Sequence, residues 1–175
     1  MENKKAGSWP VILARASFEA YVKEGQRIGI PEDLPEEWTA GRAGVFVSLH
    51  KGGELRGCIG TISPTTNSIA EEIIMNAVSA AVRDPRFSPV RSEELPDIIC
   101  SVDVLSPAED ISTIAELDVK KYGVIVSSGG RRGLLLPNLE GVDAVEDQID
   151  IARRKAGIGR GEPYILQRFE VVRYE

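Results

Sequence analysis

The sequence predicts an α+β protein in which an antiparallel sheet is flanked by helices. Two glycine-pair turns, Lys51-Gly52-Gly53-Glu54 and Gly129-Gly130, each lie between segments that read as strands, and hairpins of this kind pair their strands antiparallel. The predicted order is helix, hairpin, helix, strand, hairpin, helix, strand, without the strand–helix alternation of a doubly wound parallel sheet. The 175 residues, 42% hydrophobic and 27% charged, suit a single domain spanning 1–175 with its own core, needing neither disulfides nor metal.

The first helix starts at Ser8, a capping residue followed by Trp9 and Pro10 in the first turn, where proline's missing N–H is harmless. Val11, Ala14, Phe18, Tyr21 and Val22 recur at helical spacing until Gly25 ends the helix. Pro31 and Pro35 make Ile28 to Arg42 an irregular excursion. Val45 to His50 and Leu55 to Ile62 are the arms of the first hairpin, and Pro64 to Asn67 is a loop. Ser68-Ile69-Ala70-Glu71 has the pattern of a capping box and opens the clearest helix, with Ile69, Ile73, Ala77 and Ala81 on one stripe. Pro85 stops it by Asp84. Ile98 to Leu105 is a strand, Thr113 to Asp118 a helical turn, and Tyr122 to Ser128 with Arg131 to Leu136 the second hairpin. Asp143 to Glu146 opens a helix that Gly157 closes, and Ile165 to Tyr174 is one final strand.

Composition narrows the function classes. A formal net charge of −6 argues against a dedicated nucleic-acid binder. The basic run Arg153, Arg154, Lys155 and Arg160 reads as the solvated end of a helix, complementing its dipole. Two cysteines, Cys58 and Cys100, fit a reducing compartment. No apolar run approaches the roughly 20 residues that span a bilayer, so no membrane partner is expected. Met1 to Pro10 lacks a signal-type apolar stretch, which makes the cytoplasm the expected location.

The segment Arg56-Gly57-Cys58-Ile59-Gly60-Thr61 stands out. Glycines within a strand give up side-chain packing and mark a bulge or a close backbone approach. Here they bracket a cysteine, and an arginine two residues before it would favour the thiolate. Cys58 is the candidate nucleophile; as a bland alternative it is a small hydrophobe on a core strand. Arg56, Gly57, Gly60, Thr61, His50, Asp84 and Arg86 are the candidate ligand-binding residues around it. His50 is the sole histidine. A two-residue Gly52-Gly53 turn pairs His50 with Leu55 and Val47 with Cys58, on opposite faces; a three-residue loop pairs Ser48 with Cys58 and brings His50 to its face. The turn favours the first register. Asp84-Pro85-Arg86-Phe87 either presents Asp84 and Arg86 to a cleft or merely stops a helix and plugs Phe87 into the core; the second is the better reading from sequence. No metal site is expected, since there is no Cys-x-x-Cys and only one histidine. No cofactor is expected either: Gly129 to Gly133 lacks a phosphate-loop ending, and Gly157-Ile158-Gly159-Arg160-Gly161 follows a helix instead of a strand.

Leu55-Arg56-Gly57-Cys58-Ile59-Gly60-Thr61 resembles the signature of the AMMECR-one family, named for the Alport syndrome chromosomal region gene. Gly44 to His50, Asp84 to Phe87, Glu94-Leu95-Pro96, Ser101 to Leu105, Arg132 to Pro137 and the Gly141 to Gly157 helix match in the same order, from about Leu13 to Tyr174. The resemblance implies an α+β fold of two unequal lobes, with the Arg-Gly-Cys-Ile-Gly segment near a cleft between them. It supplies no reaction, because the family has no established biochemical activity. Prokaryotic members look like companions of a Memo-type protein and a radical-SAM enzyme. The expected function is therefore an accessory module that binds a small ligand or a protein partner; the alternative is a cysteine-dependent enzyme using Cys58.

Overall fold

The computed structural model describes residues 8–175, so most of the Met1 to Pro10 segment lies outside the described residues. The fold is α+β, with two four-stranded sheets. The chain divides into two compact units: one runs to Val104 and takes back Val172–Glu175, the other is Leu105–Val171.

In the first unit, helix α1 (Trp9–Glu24) begins after Ser8 and ends at Gly25, whose φ of 69° lets its N–H reach back to the Tyr21 carbonyl at 2.8 Å. Ser8 has the extended backbone of a cap, but its hydroxyl makes no capping bond. The predicted excursion contains a short helix α2 (Glu36–Ala40), which Pro35 precedes without interrupting. Its Trp38 is buried and meets Tyr174 edge to face, ring centroids 5.5 Å apart. Strands β1 (Val45–Lys51), β2 (Glu54–Gly60) and β3 (Ile98–Leu105) flank helix α3 (Ile69–Val82) in sequence. The last strand of the chain, β8 (Val171–Tyr174), completes the order β2-β1-β3-β8.

The odd-numbered residues Val45, Val47 and Leu49 of β1 face inward and are fully buried. They pack with Leu13, Ala14 and Phe18 of α1 and with Ile73, Ala77 and Ala81 of α3. Alternation sends Phe46, Ser48 and His50 to the other face of the sheet. Of the predicted capping box, half forms: the Ser68 hydroxyl accepts from the Glu71 N–H at 3.2 Å, whereas the Glu71 carboxylate caps the Asn67 N–H at 2.9 Å.

The second unit contains β4 (Glu109–Ile111), β5 (Gly123–Ser128), β6 (Arg131–Leu135), helix α4 (Val145–Lys155) and β7 (Ile165–Phe169), in the order β4-β7-β5-β6. Val124, Val126, Leu135, Ile149 and Ala152 form its core. The helix expected to open within Asp143 to Glu146 begins at Val145, and Ala144 occupies the cap position without a side-chain capping bond. The predicted single strand Ile165 to Tyr174 is two strands in two sheets. Glu170 separates them, because its N–H donates to the Ser106 hydroxyl and its carbonyl accepts from the Ser106 N–H, at 2.8 and 2.9 Å. The basic run is only in part a solvated helix end: Arg153 is buried, it and Arg154 pair with Asp150, and Lys155 donates to the Leu134 carbonyl. Among the described residues, no helix is long and apolar enough to cross a membrane.

Candidate functional site

The register of the first hairpin combines the two alternatives the sequence offers. Gly52 and Gly53, with φ of 60° and 83°, make the two-residue turn, and His50 pairs with Leu55 as that turn requires. Between Leu49 and His50 the register then shifts by one residue. Leu49 faces Gly57 and Ser48 faces Cys58, leaving Arg56 as the extra residue of a bulge. The favoured pairing of Val47 with Cys58 is thereby overturned. Cys58 shares the outer face of the sheet with Ser48 and His50. The Ser48 hydroxyl donates to the half-buried Cys58 sulfur at 3.3 Å, and His50 lies one step along the strand with no hydrogen bond to it.

The close approaches that the glycines permit are internal. A Cβ on Gly57 would lie 2.1 Å from the Ala80 carbonyl oxygen of α3, and one on Gly60 would lie 2.2 Å from the Phe46 ring. Gly57 lets the helix pack directly on the strand. Gly60 is covered by its cross-strand partner, and the second sheet repeats the device, with Phe169 over its partner Gly123.

Strand β2 lies at a sheet edge, where backbone groups lack a neighbouring strand. At Cys58 two side chains supply the missing partners. Asp84 Oδ2 accepts from the Cys58 N–H at 2.9 Å, and Arg86 Nη2 donates to the Cys58 carbonyl at 3.3 Å. Arg86 is held in turn by Asp84 through its amide, Nε and Nη2, at 3.1, 3.0 and 2.8 Å. The Arg86 guanidinium holds the Asp84 carboxyl far below the usual carboxylate range; burial opposes this, and the Cys58 and Arg86 amides reinforce it. The Asp84–Arg86 segment is therefore tied to the cysteine, beyond its role as a helix stop. Phe87 is not plugged into the core; Val90, 4% exposed, takes that place.

Arg56 does not stand free beside the thiol. Its Nε and Nη2 grip the two oxygens of Glu94 at 3.1 and 3.0 Å, and its guanidinium also donates to the Ser88 and Pro89 carbonyls. Lys51 Nζ adds a third contact to Glu94 at 3.1 Å. With Arg56 as the largest influence, then the Arg91 amide, the Glu94 carboxyl is held down at about 2 in spite of its burial. Thr61 belongs to a different network. Its hydroxyl donates to the fully buried Glu72 at 2.7 Å and accepts from Asn76. Burial pushes the Glu72 carboxyl up, but hydrogen bonds from Thr61, Thr66 and Thr65 outweigh it and leave it below the ordinary value.

Several residues of this site were not among the candidates the sequence named. Ser48 pairs with Cys58 on one side and with Ser101 on the other, so Cys58, Ser48 and Ser101 form a row across three strands. In the adjacent row, buried Asp103 holds Arg173 through Nε and Nη2, both at 2.8 Å. The Arg173 guanidinium has its proton held more tightly through Asp103 first, against burial, and to a smaller degree through Cys58. Cys58 likewise contributes, after Asp84, to Arg86. Strand alternation was the available signal for Ser48; nothing local marks Glu94 or Arg173. Cys100, 3% exposed, lies on the inner face, and burial pushes its thiol up to about 11. Among the described residues, no group of three or more His, Cys, Asp or Glu side chains is arranged to hold a metal ion.

The AMMECR1 family model matches residues 11–175. The chain belongs to the AMMECR1 family. It is 55% identical over 160 residues to a protein of Thermotoga maritima, covering 90% of this chain and 92% of that one. It is 52% identical over 176 residues to a Clostridium acetobutylicum protein; the match takes in 99% of this chain, which spans only 37% of that longer relative. The crystal structure of an uncharacterized Pyrococcus horikoshii protein superimposes with a TM-score of 0.87 at 34% identity, covering 95% of this chain and 89% of the other. These AMMECR1 relatives are uncharacterised and name no specific function.

Proposed function

We propose that this AMMECR1 protein is an accessory binding module, and that the surface around Cys58 engages a small ligand or a protein partner. The observation that carries this reading is the double clamp on the cysteine. Asp84 and Arg86 hold both backbone polar groups of Cys58, while its thiol stays half-buried against the Ser48 hydroxyl. A fixed backbone with an accessible polar face is suited to recognition, because little conformational freedom is lost on binding. No imidazole or carboxylate hydrogen-bonds the thiol among the described residues, so the usual general base of a cysteine nucleophile is missing from its contacts. The Clostridium relative, of which this chain spans 37%, fits a module that works beside other polypeptide. Memo-like and radical-SAM proteins, which the family resemblance implies as companions, are the first partners to test.

The second reading, a cysteine nucleophile, has one observation in its favour: Arg86 donates to the Cys58 carbonyl, which fixes a guanidinium on the same residue. The experiment is co-purification from the native host of wild type, Cys58→Ser and Ser48→Ala, with each variant's folding checked. The binding reading expects both variants to lose the partner or ligand together. If Cys58→Ser keeps full binding, the reading falls. If it keeps binding yet loses a covalent adduct seen on the wild-type thiol, the nucleophile replaces it.

A further inference from the structure

The loop that clamps Cys58 continues into the wall of a hollow. Phe87, Ser88, Pro89 and Arg91 line it together with Arg56 and Glu94, and this open hollow offers about 750 Å³. That is the size of a small-molecule site. Its charge sets it apart in a chain whose net charge is −6. Glu94 is the single carboxylate of the lining, and its acceptors are occupied: Oε1 by Arg56 Nε and Lys51 Nζ, Oε2 by Arg56 Nη2 and the Arg91 amide. Two cations already face its one negative charge.

Arg56 carries five N–H donors. Four hydrogen bonds leave it, two to Glu94 and one each to the Ser88 and Pro89 carbonyls, so one donor remains. Arg91 is exposed, and among the described residues its guanidinium enters no hydrogen bond or ion pair; only its backbone is engaged. An uncommitted guanidinium therefore stands at the rim, and a rigid, nearly saturated one forms part of the wall. The remaining lining residues are Phe87, Ser88 and Pro89. Arg86 covers Phe87 with its guanidinium carbon 5.4 Å from the ring centroid, which keeps the aromatic group oriented.

We infer that this hollow binds a small organic anion, a phosphate or a carboxylate, carried on a flat ring. Arg91 and the spare Arg56 donor take the anionic head, and Phe87 and Pro89 take the ring. The hollow is a separate surface beside the one proposed above, joined to it because one loop, Asp84 to Arg91, supplies both the Cys58 clamp and the wall of the hollow.

The test titrates phenyl phosphate, benzoate, inorganic phosphate and neutral phenol into isotope-labelled full chain and follows the backbone amides of residues 86–91. Phenyl phosphate or benzoate is expected to give saturable shifts, with phenol and inorganic phosphate each weaker by about tenfold, since each lacks one of the two contacts. The tighter of the two ring-bearing anions identifies the head group. Arg91→Gln, at an exposed position, should weaken that ligand by about tenfold, and Arg91→Lys by less. Absence of saturable shifts at about 10 mM, or unchanged binding by Arg91→Gln, overturns the inference. Cys58→Ser should bind the ring anion normally. A silent hollow beside Cys58-dependent partner capture sinks only this inference, and ring-anion binding beside capture indifferent to Cys58→Ser sinks only the proposed function.

Discussion

Replacing Asp84 tests whether the edge of the first sheet is held by side chains. In wild type its carboxylate accepts from the Cys58 amide, the Arg86 amide, Arg86 Nε and Arg86 Nη2. Its side chain is 2% exposed, whereas that of Arg86 is 57% exposed. Asp84→Ala removes the acceptor of two backbone amides, each worth about 1 kcal/mol net, and breaks a charge-assisted pair worth a further ~1.5–3 kcal/mol in a dry site. Arg86 is wet and rehydrates once released, so the pair contributes toward the low end, and the total is about 2–4 kcal/mol. Asp84→Asn retains an acceptor and loses the charge, for about 1–2 kcal/mol. The pH dependence follows from the direction of the Asp84 shift. Its folded carboxyl lies below the unfolded value of 3.8, so the stabilisation is complete above pH ~5 and disappears as the pH falls through the folded value. Urea melts of wild type and both variants from pH 7 down to pH 2 provide the assay, with the gap between wild type and Asp84→Asn closing toward acid. A loss below ~0.5 kcal/mol for Asp84→Ala, or a gap that stays constant with pH, refutes the clamp.

Arg56→Ala should destabilise by about 2–4 kcal/mol, since it leaves buried Glu94 with Lys51 and one amide, whereas near-isosteric Cys58→Ser at a half-buried position should cost below ~1 kcal/mol; denaturant melts of the two compare them directly. Gly57→Ala forces a methyl to within 2.1 Å of the Ala80 carbonyl, so α3 must move and a loss of at least ~2 kcal/mol in the same melts is expected. Thiol counting on native protein without reductant should find one thiol that reacts readily, Cys58, and one that reacts only on unfolding, Cys100, whose burial pushes it up to about 11. Glu94→Gln should remove a stabilisation that holds above pH ~5 and fades as the pH falls toward about 2; the nominal linkage of ~3 kcal/mol shrinks to ~1–2 kcal/mol because Lys51 and the hollow are open to water, and a pH series of melts reads it.

By itself the sequence determined the elements whose causes are local. Pro10 and Gly25 bound α1, Ser68 opens α3, Pro85 follows its end, and Gly52-Gly53 makes a two-residue turn, because caps, prolines and left-handed glycines act within a few residues. The motif signature at Leu55 to Thr61 sufficed to place the chain in its family and to mark Cys58. Tertiary structure decided everything that depends on partners far apart in the chain. The bulge at Arg56 shifted the register and put Cys58 on the face of Ser48 and His50, because α3 packs so closely on Gly57 that no other residue fits inward there. It decided that Arg56 is bound to Glu94, 38 residues away, and that Asp84 and Arg86 close the edge at Cys58. It also split the last predicted strand at Glu170, through a bracket with Ser106, 64 residues earlier. Periodicity records which face of an element is apolar, but ion pairs and strand edges depend on which elements the fold brings together, and no local pattern encodes that.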